Sequence, residues 1–259
     1  MRIARFTTGT DPAFGVVDGP DEHLFVAGVA GDPLYQAVEL TGERFDLDDV
    51  RLLAPVIPRS KVVCIGRNYA DHASELGHEV PAEPLIFIKP NTSVIGPREP
   101  VVYPRQTSDL QYEGELAVVI GRICKDVPVE RTAEVIFGFT IGNDVTARDL
   151  QHKDVQFTRS KSFDTFCPLG PWIETELDPS DLGVTTTLGT QVRQAGRTSQ
   201  MIFDVPAIVA YITSVMTLLP GDVILTGTPA GVGPMRVGDD VTVTIEGIGS
   251  LTNPVVSRD

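Results

Sequence analysis

Hydrophobic residues in this chain recur in short runs that are rich in β-branched side chains. Val62–Ile65, Leu116–Ile120 and Val223–Thr226 are bounded on each side by glycine or charged residues. Runs of this length and composition are typical of buried strands, because a helix needs a longer segment with a 3.6-residue period. Further strands are predicted at Leu85–Lys89, Val135–Asp144, Val184–Thr187 and Val241–Ile245, and near the start at Arg2–Thr7, Ala13–Val17 and His23–Val26.

Helical patterns are fewer. Asp204–Met216 begins with a suitable N-cap, has Pro206 in its first turn, and repeats apolar residues along one face. Shorter helical segments are predicted at Tyr69–Leu76, at Asp32–Val38 and, as a single turn, at Arg131–Val135. Strands outnumber helices and no steady alternation of strand and helix is visible, so the pattern predicts a strand-rich α+β fold with a large mixed sheet.

Chain length and prolines suggest two unequal parts. The 259 residues are many for one core and few for two full domains. The proline-marked passage Leu53–Pro58 divides a small N-terminal domain, 1–57, from a main domain, 58–259. The apolar runs are too short to span a bilayer, and no basic-plus-apolar leader opens the chain. We therefore predict a cytoplasmic protein without a membrane partner.

The formal charge of −14 limits the classes of molecule that the protein is expected to bind. Nucleic-acid binding requires clustered lysine and arginine, so a nucleic-acid partner is not expected. A small anionic substrate remains compatible with this charge if a cation reverses the potential locally. Three cysteines without paired spacing, Cys64, Cys124 and Cys167, argue against a disulfide framework.

Three carboxylates form the most informative pattern. Glu113 and Glu115 are two residues apart on a predicted strand, so both side chains point to one face. Asp144 ends the next apolar segment. Oxygen ligands without histidine or cysteine favour a hard cation, Mg²⁺ first and Mn²⁺ or Ca²⁺ next. An acidic strand edge with solvated charges is the alternative.

Other polar residues offer weaker signals. His72 and Glu75 are three residues apart, so on a helix the carboxylate can orient the imidazole as a general base; an ordinary helix end is the alternative. Lys161 alone would be a solvated charge. The glycine-rich stretch 226–233 matches neither a P-loop nor a dinucleotide fingerprint, although its amides can cradle a carboxylate. His23, His78 and His152 join no ligand pattern.

Five blocks in a fixed order resemble the fumarylacetoacetate hydrolase family. The resemblance runs from about Leu53 to Val256 and rests on several long motifs together. The blocks are Lys61–Gly66 with Arg67–Gly77, the pair Glu113 and Glu115, Asn143–Asp149, Ser160–Pro171, and Gly221–Gly233.

The resemblance implies a partly open roll of mixed sheet with a small N-terminal β domain, and a homodimer. It implies that Glu113, Glu115 and Asp144 hold Mg²⁺ or Mn²⁺, with Ca²⁺ possible in vitro. His72 and Glu75 then lie on a mobile lid and activate water, and Lys161 steadies negative charge on the substrate. The substrate-binding residues implied are Arg67, Tyr69, Lys89, Gln151 and Thr228. Asp164 either orients Lys161 or caps a turn. Arg148 and Asp149 either contribute to the site or form an ion pair that is only structural.

The function implied by the resemblance is metal-dependent hydrolysis or lysis of a small 2-oxo or 2,4-dioxo acid. Acylpyruvate or fumarylpyruvate cleavage at the C3–C4 bond, through a metal-bound enolate, is the first expectation. The alternatives are oxaloacetate decarboxylation and isomerisation of 2-hydroxyhepta-2,4-diene-1,7-dioate. The longer fumarylacetoacetate hydrolases take a further metal ligand from their N-terminal region, and no equivalent is visible here, which favours acylpyruvates or a diacid. A non-catalytic binding protein on the same fold is the remote alternative.

Overall fold

The fold is described from a computed structural model, which covers residues 1–20, 22–75, 77 and 79–258. Strands predominate over helices within these ranges. The strands are β1 Arg2–Thr7, β2 Ala13–Asp18, β3 Phe25–Val29, β4 Leu40–Asp46, β5 Arg51–Leu53, β6 Val62–Gly66, β7 Leu85–Lys89, β8 Val94–Ile95, β9 Val101–Tyr103, β10 Leu110–Tyr112, β11 Gly114–Ile120, β12 Ile136–Asn143, β13 Thr146–Ala147, β14 Cys167–Glu174, β15 Gly183–Leu188, β16 Gln191–Arg197, β17 Val223–Leu225, β18 Gly233–Pro234, β19 Asp240–Ile245 and β20 Gly249–Ser257. The α-helices are α1 Ala70–Glu75, α2 Arg148–Lys153, α3 Thr158–Lys161 and α4 Val205–Val215. Short 3₁₀ helices lie at Leu47–Asp49, Asn91–Ser93, Val129–Glu134 and Thr198–Gln200.

The largest sheet has the order β4-β3-β2-β1-β14-β12-β11-β17-β6-β7, with β5 beside β1 and β8 beside β14. Most neighbours are antiparallel, whereas β17–β6 and β14–β8 are parallel, so the sheet is mixed. All seven residues of β11 are buried. A strand covered on both faces carries a continuous apolar run instead of an alternating one, which explains the sequence Leu116–Ile120.

The pairing of β11 with β12 determines where the acidic residues meet. Gly114 of β11 lies opposite Asn143 of β12. Glu113 immediately precedes β11 and Asp144 immediately follows β12, so the two acids leave the sheet at the same end. The Asp144 amide donates to the Glu113 carbonyl at 2.9 Å, and this bond holds the two residues side by side.

A second sheet, β16-β15-β19-β20-β9, packs against the first. Leu116 and Val118 of β11 belong to one hydrophobic cluster with Val184 of β15 and Val243 of β19. The sheets are in close contact at Gly114, where a Cβ atom would lie 2.3 Å from Thr186 Oγ1. A glycine is therefore required between the two glutamates. A third, small sheet has the order β13-β10-β18.

Helix α4 packs its apolar face into the same cluster through Ile208, Val209 and Ile212. Its N-terminus begins as the sequence predicts, because the Asp204 carboxylate accepts from the Ala207 amide at 2.9 Å. Such a cap contributes about 1 kcal/mol. The segment just before it, residues 201–203, contacts the start of α1, since the Ile202 amide donates to the Asn68 carbonyl at 2.8 Å.

The structure confirms the strand-rich α+β class and each strand predicted from the apolar runs, with ends shifted by a few residues at most. Helix α1 lies inside the predicted Tyr69–Leu76, and Leu76 falls outside the described residues. The helix predicted at Asp32–Val38 is wrong. Asp32 instead forms a turn, in which its carboxylate accepts from the Leu34 amide at 2.9 Å and its carbonyl from Tyr35 at 3.0 Å.

The N-terminal strands are continuous with the main sheet. β1 pairs with β14 through Arg2–Glu174 and Ile3–Ile173, and β5 returns to pair with β1. The division at 57/58 therefore separates two stretches of chain that share one sheet, and it stays a prediction. Across the described residues, no helix is long and apolar enough to cross a membrane.

Candidate metal and substrate site

A cavity of about 300 Å³ opens where β11 begins and β12 ends, beside α1, α2 and α3. Its walls include the three acids singled out from the sequence together with His72 and Lys161. Five residues from four separate stretches of the chain therefore meet in one place. The cavity is the candidate functional site.

The three carboxylates form a cluster at the floor of this cavity. Glu113, Glu115 and Asp144 each offer an oxygen within 4.8 Å of the others. All three residues are buried. The sequence prediction that these side chains converge is confirmed, whereas their role as metal ligands stays a prediction. Three buried carboxylates repel one another unless positive charge lies close by.

Buried cations surround two of the three acids. The Lys161 ammonium donates to Glu113 Oε2 at 2.8 Å, to Asp144 Oδ2 at 2.6 Å and to Thr146 Oγ1 at 2.8 Å. Lys89 donates to Asp144 Oδ1, and Arg148 donates to Glu113 Oε1. Lysine is rarely buried without a partner, and both lysines here bond to carboxylates.

The surroundings shift the pKa values of the two glutamates in opposite directions. Burial acts to raise the pKa of Glu113, but the ammonium of Lys161 and the guanidinium of Arg148 outweigh it and hold that pKa well below its usual range. Burial raises the pKa of Glu115 well above its usual range, and the charges of Asp144 and Glu113 raise it further. Glu115 receives a hydrogen bond from the Gly227 amide at 2.7 Å and, among the described residues, forms no ion pair.

This donor set fits a hard divalent cation. The ligands available are carboxylate oxygens, which Mg²⁺ and Mn²⁺ accept. Glu115 gives the strongest indication of a metal ion. Its buried carboxyl group lies beside two other carboxylates, and no described lysine or arginine pairs with it. A divalent ion would supply the missing positive charge.

His72 and Glu75 lie on α1, and His72 lines the cavity. The distance from His72 Nδ1 to Glu75 Oε2 is 3.5 Å. Glu75 is fixed in turn by the Gly231 amide of the glycine-rich loop, at 3.1 Å from Oε2. Burial lowers the pKa of His72, partly offset by the charges of Glu113 and Glu75. The imidazole is therefore neutral at neutral pH and is suited to accept a proton.

The predicted substrate-binding residues divide into two groups. Arg67, Gln151 and Thr228 line the cavity. Lys89 is fully buried behind Asp144 and bonds to it and to the Val145 carbonyl, so it belongs with the carboxylate cluster. Tyr69 is also buried; the charge of Glu115 adds to burial in raising its pKa, and its hydroxyl has no hydrogen-bond partner among the described residues.

Two pairings that the sequence suggested are absent. Arg148 does not pair with Asp149: it bonds to Glu113 and Gln151, while Asp149 accepts from Thr107 and Ser108. Lys161 is held by Glu113 and Asp144, so Asp164 is not its partner.

Further residues at the site were not anticipated. His152, which joined no pattern in the sequence, lines the cavity, whereas His78 lies outside the described residues. Gln194 and Asn68 are fully buried amides next to the site, and sequence reasoning missed both. Signals were available for Arg148 and Asn68, which lie in the blocks Asn143–Asp149 and Arg67–Gly77, but not for Gln194.

Two named relatives resemble the chain along most of its length. Protein Rv2993c of Mycobacterium tuberculosis is 54% identical over 265 residues, which cover 100% of this chain and 99% of that protein. Oxaloacetate tautomerase YisK of Bacillus subtilis is 42% identical over 231 residues, which cover 84% of this chain and 77% of that protein.

Solved structures show the same fold. The 5-carboxymethyl-2-hydroxymuconate delta-isomerase from Mycobacterium smegmatis has a TM-score of 0.93 and 51% identity, and each chain is covered in full. The fumarylpyruvate hydrolase from Pseudomonas aeruginosa, solved in complex with Mn²⁺ and pyruvate, has a TM-score of 0.74 and 33% identity, covering 79% of this chain and 98% of that one.

Family sequence models cover almost the whole chain. The model described as Rv2993c-like, N-terminal, matches residues 1–55. The model described as fumarylacetoacetate (FAA) hydrolase C-terminal matches residues 61–256, which include every residue that lines the cavity. With this match over most of its length, the chain belongs to the fumarylacetoacetate hydrolase family.

Proposed function

We propose that this enzyme moves a proton within a small 2-oxo acid that carries a second carboxylate, as a tautomerase or isomerase that depends on a divalent cation. One observation carries the proposal: a single cavity is lined both by the imidazole of His72, which pairs with Glu75 through Nδ1, and by a cluster of three carboxylates. The names of the relatives support it, since oxaloacetate tautomerase and 5-carboxymethyl-2-hydroxymuconate delta-isomerase both denote reactions that relocate a proton.

In this proposal Glu113, Glu115 and Asp144 hold Mg²⁺ or Mn²⁺. The bound ion would supply Lewis-acid polarisation of the substrate's oxo group, which acidifies the neighbouring carbon. Lys161 contributes a fixed positive charge at the same end of the cavity, where it faces negative charge that develops on oxygen. The substrate is thus bound next to positive charge in an otherwise acidic protein.

His72 is the group proposed to carry the proton. Its Nδ1 faces Glu75, which leaves Nε2 for the substrate. The proton leaves the carbon beside the oxo group for Nε2, and the electron pair of the broken C–H bond moves toward the oxo oxygen. Returning the proton to that oxygen completes a tautomerisation, whereas returning it to a different carbon completes an isomerisation. Glu75 fixes the tautomer of the imidazole and stabilises its protonated form.

In this proposal, Arg67 pairs with the second carboxylate of the substrate. This residue lines the cavity, and its guanidinium forms no hydrogen bond or ion pair with any described residue. Its backbone is left-handed, with φ of 58°, which costs a non-glycine residue of order 1 kcal/mol. Arg148 also lines the cavity but is already bonded to Glu113, Gln151 and Gln111. Arg67 is therefore the cation proposed to select a diacid.

The test compares substrates on one preparation. Protein stripped with EDTA and reloaded with Mg²⁺ or Mn²⁺ is offered oxaloacetate, an unsaturated 2-hydroxy diacid, acetylpyruvate and fumarylpyruvate. Enol absorbance reports proton transfer, and product analysis reports decarboxylation and cleavage. We expect proton transfer on the diacids to be the fastest reaction and to require the metal. Metal-independent proton transfer, or none above the solution rate, would refute the proposal.

Carbon–carbon hydrolysis, the first expectation from the sequence, is the second candidate. A neutral imidazole paired with a carboxylate can activate water as readily as it can accept a proton from carbon. The resemblance to a fumarylpyruvate hydrolase that binds Mn²⁺ and pyruvate favours it. Cleavage of fumarylpyruvate or acetylpyruvate that is faster than proton transfer on the diacids would place this candidate first.

A further inference from the structure

Gln194 is a fully buried residue of β16 in the second sheet. Its Oε1 accepts from the Gly114 amide at 3.0 Å. Its Nε2 donates to Thr228 Oγ1 at 2.8 Å and to the Pro229 carbonyl at 2.7 Å. Thr228 Oγ1 in turn donates to the Gly114 carbonyl at 2.9 Å. The bonds form a closed ring that holds both peptide groups of Gly114.

The direction of each bond in this ring is fixed. Pro229 offers a carbonyl, which must receive the Gln194 NH₂ group, and Gly114 offers an N–H, which must meet the Gln194 oxygen. If the amide were flipped, its NH₂ group would face the Gly114 N–H and its oxygen would face the Pro229 carbonyl. Neither contact could be a hydrogen bond. Gln194 therefore has a single orientation, and its bonds specify one position of the Gly114 backbone.

Gly114 is the residue between the two metal-site glutamates. Its lack of a side chain gives the backbone more freedom than any other residue would have. A substitution cannot restore rigidity, because a Cβ would lie 2.3 Å from Thr186 Oγ1. On either side, the Glu113 amide bonds to Asn143 Oδ1 at 2.9 Å and the Glu115 carboxylate to the Gly227 amide at 2.7 Å. The ring through Gln194 supplies the remaining constraint.

We infer that Gln194 is a positioning residue that holds Glu113 and Glu115 at the mutual distance a divalent cation requires. The inference rests on the proposed metal site. Residues that orient metal ligands from behind typically change metal affinity by about 10- to 100-fold when they are removed. Because Gln194 lies in the second sheet, it also makes the geometry of the metal site depend on the packing of the two sheets.

The experiment is titration calorimetry with Mn²⁺ on the EDTA-treated protein, paired with thermal unfolding of the same samples. Gln194→Met keeps the length of the side chain and removes its hydrogen bonds. Asn253→Leu is the matched control, because Asn253 is also a buried amide of the second sheet and donates to two backbone carbonyls, Gly96 at 2.9 Å and Glu99 at 2.8 Å. Thr228→Val breaks the same ring with a smaller change, and Thr228→Ser restores the hydroxyl.

We expect Gln194→Met and Thr228→Val to weaken Mn²⁺ binding about 10-fold or more, while Asn253→Leu lowers the midpoint of unfolding and keeps wild-type affinity. Thr228→Ser should recover most of the affinity. Should Gln194→Met fail to fold, the two Thr228 variants decide the question. Wild-type affinity in Gln194→Met or Thr228→Val, or equal weakening in Asn253→Leu, overturns this inference alone. A wild-type protein that binds no Mn²⁺ overturns the proposed function and the inference together.

Discussion

Lys161 is the residue at which metal binding and chemistry are most easily separated. Its ammonium bonds to Glu113 and Asp144, so it competes with a bound cation for the same oxygens. Removing it should leave Mn²⁺ affinity unchanged or stronger, since the local potential becomes more negative. Turnover should fall by about 10²-fold or more, because a fixed charge that opposes the developing negative charge is lost. Calorimetry and kinetics on Lys161→Met measure the two effects.

Lys89→Met is the matched control for that variant. Lys89 also bonds to Asp144, but it does not line the cavity. We expect it to reduce turnover much less than Lys161→Met does. Equal losses in the two variants, or a large loss of Mn²⁺ affinity in Lys161→Met, would show that Lys161 supports the carboxylates and not the substrate.

Removing one carboxylate should abolish the stabilisation that the metal gives. A ligand that binds only the folded state stabilises it by about 2.7 kcal/mol at 100 times its dissociation constant. We expect Mn²⁺ to raise the unfolding midpoint of the wild type but not that of Asp144→Asn or Glu115→Gln. The measurement is thermal unfolding in EDTA and in excess Mn²⁺. A midpoint that still rises in both variants would show that the metal binds elsewhere.

Single residues of the site could be predicted from the sequence only when their chemistry was unusual for their position. Glu113 and Glu115 are two acids heading an apolar strand, and His72 and Glu75 have helical spacing. Gln194 carried no such signal, because its partner Gly114 is 80 residues away. A buried amide is defined by the backbone groups it satisfies, and those are known only once the chain has folded.

At the scale of elements, α1 owes its position to Asn68. This fully buried amide donates to the Phe203 carbonyl at 2.9 Å and the Thr226 carbonyl at 2.8 Å, and it accepts from the Phe203 amide at 2.8 Å. Asn68→Ala leaves these groups unsatisfied, at about 1–3 kcal/mol each. We expect a large loss of stability, with faster hydrogen exchange at Phe203 and along 70–75.

The control for Asn68 is Asn91→Ala. Asn91 is exposed and makes one long bond, 3.3 Å to the Pro58 carbonyl. Little change is expected in either measurement. If Asn68→Ala were as stable as the wild type and exchanged at the same rate, α1 would be held by other contacts.

A metal-bound ligand should further order the same helix. Only His72 and Ala73 of α1 are buried, so few apolar contacts hold it in place. Oxalate with Mg²⁺ should slow hydrogen exchange in 68–75 by bringing the cavity wall against the ligand. His72→Ala should retain oxalate affinity and lose proton transfer, since the base is removed while the carboxylates remain. Unchanged exchange with oxalate, or wild-type turnover in His72→Ala, would contradict this.

Strands that follow a long apolar run were predictable, whereas a run interrupted by two prolines was missed. β14 was missed because Cys167–Glu174 contains Pro168, Gly170 and Pro171. The strand tolerates them because its pairing is discontinuous: it pairs with β8 at its start, with β1 at its end, and with β12 across a register shift. The local sequence cannot show that β14 is held by short stretches of pairing with three different strands.

For the whole molecule, composition and periodicity predicted the fold class but not how its parts join. The short strands indicated α+β, and the motif order indicated the family. That β1 continues the main sheet through β14 required knowledge of pairs such as Ile3–Ile173, which are 170 residues apart in sequence. Strand partners are chosen by tertiary packing, for which the sequence provides no local signal.

Asp222 holds Ser60 and Lys61 against the segment 219–222 and makes stability depend on pH. This fully buried carboxylate accepts from Ser60 Oγ at 2.7 Å, from Lys61 Nζ at 2.9 Å and from the Leu219 amide at 2.9 Å. Burial acts to raise its pKa, but the bonds from Lys61, Leu219 and Ser60 outweigh it and lower the pKa below the usual value. The unfolded chain, with a pKa of about 3.9, therefore binds a proton at a higher pH than the folded chain does.

The contribution of Asp222 to stability should thus be complete above about pH 5 and decline as the pH falls through 3.9 toward the lower pKa of the folded state. Asp222→Asn should be less stable than the wild type by about 1–3 kcal/mol at pH 7, since the bond from Lys61 loses its charge. The difference should shrink as the pH falls from 5 to 3, because the wild-type carboxylate becomes protonated. Urea unfolding at fixed protein concentration measures both proteins across this range, with the exposed Asp11→Asn as the control. A difference that stays constant from pH 7 to pH 3 would show that the hydrogen bonds of Asp222, and not its charge, stabilise the fold.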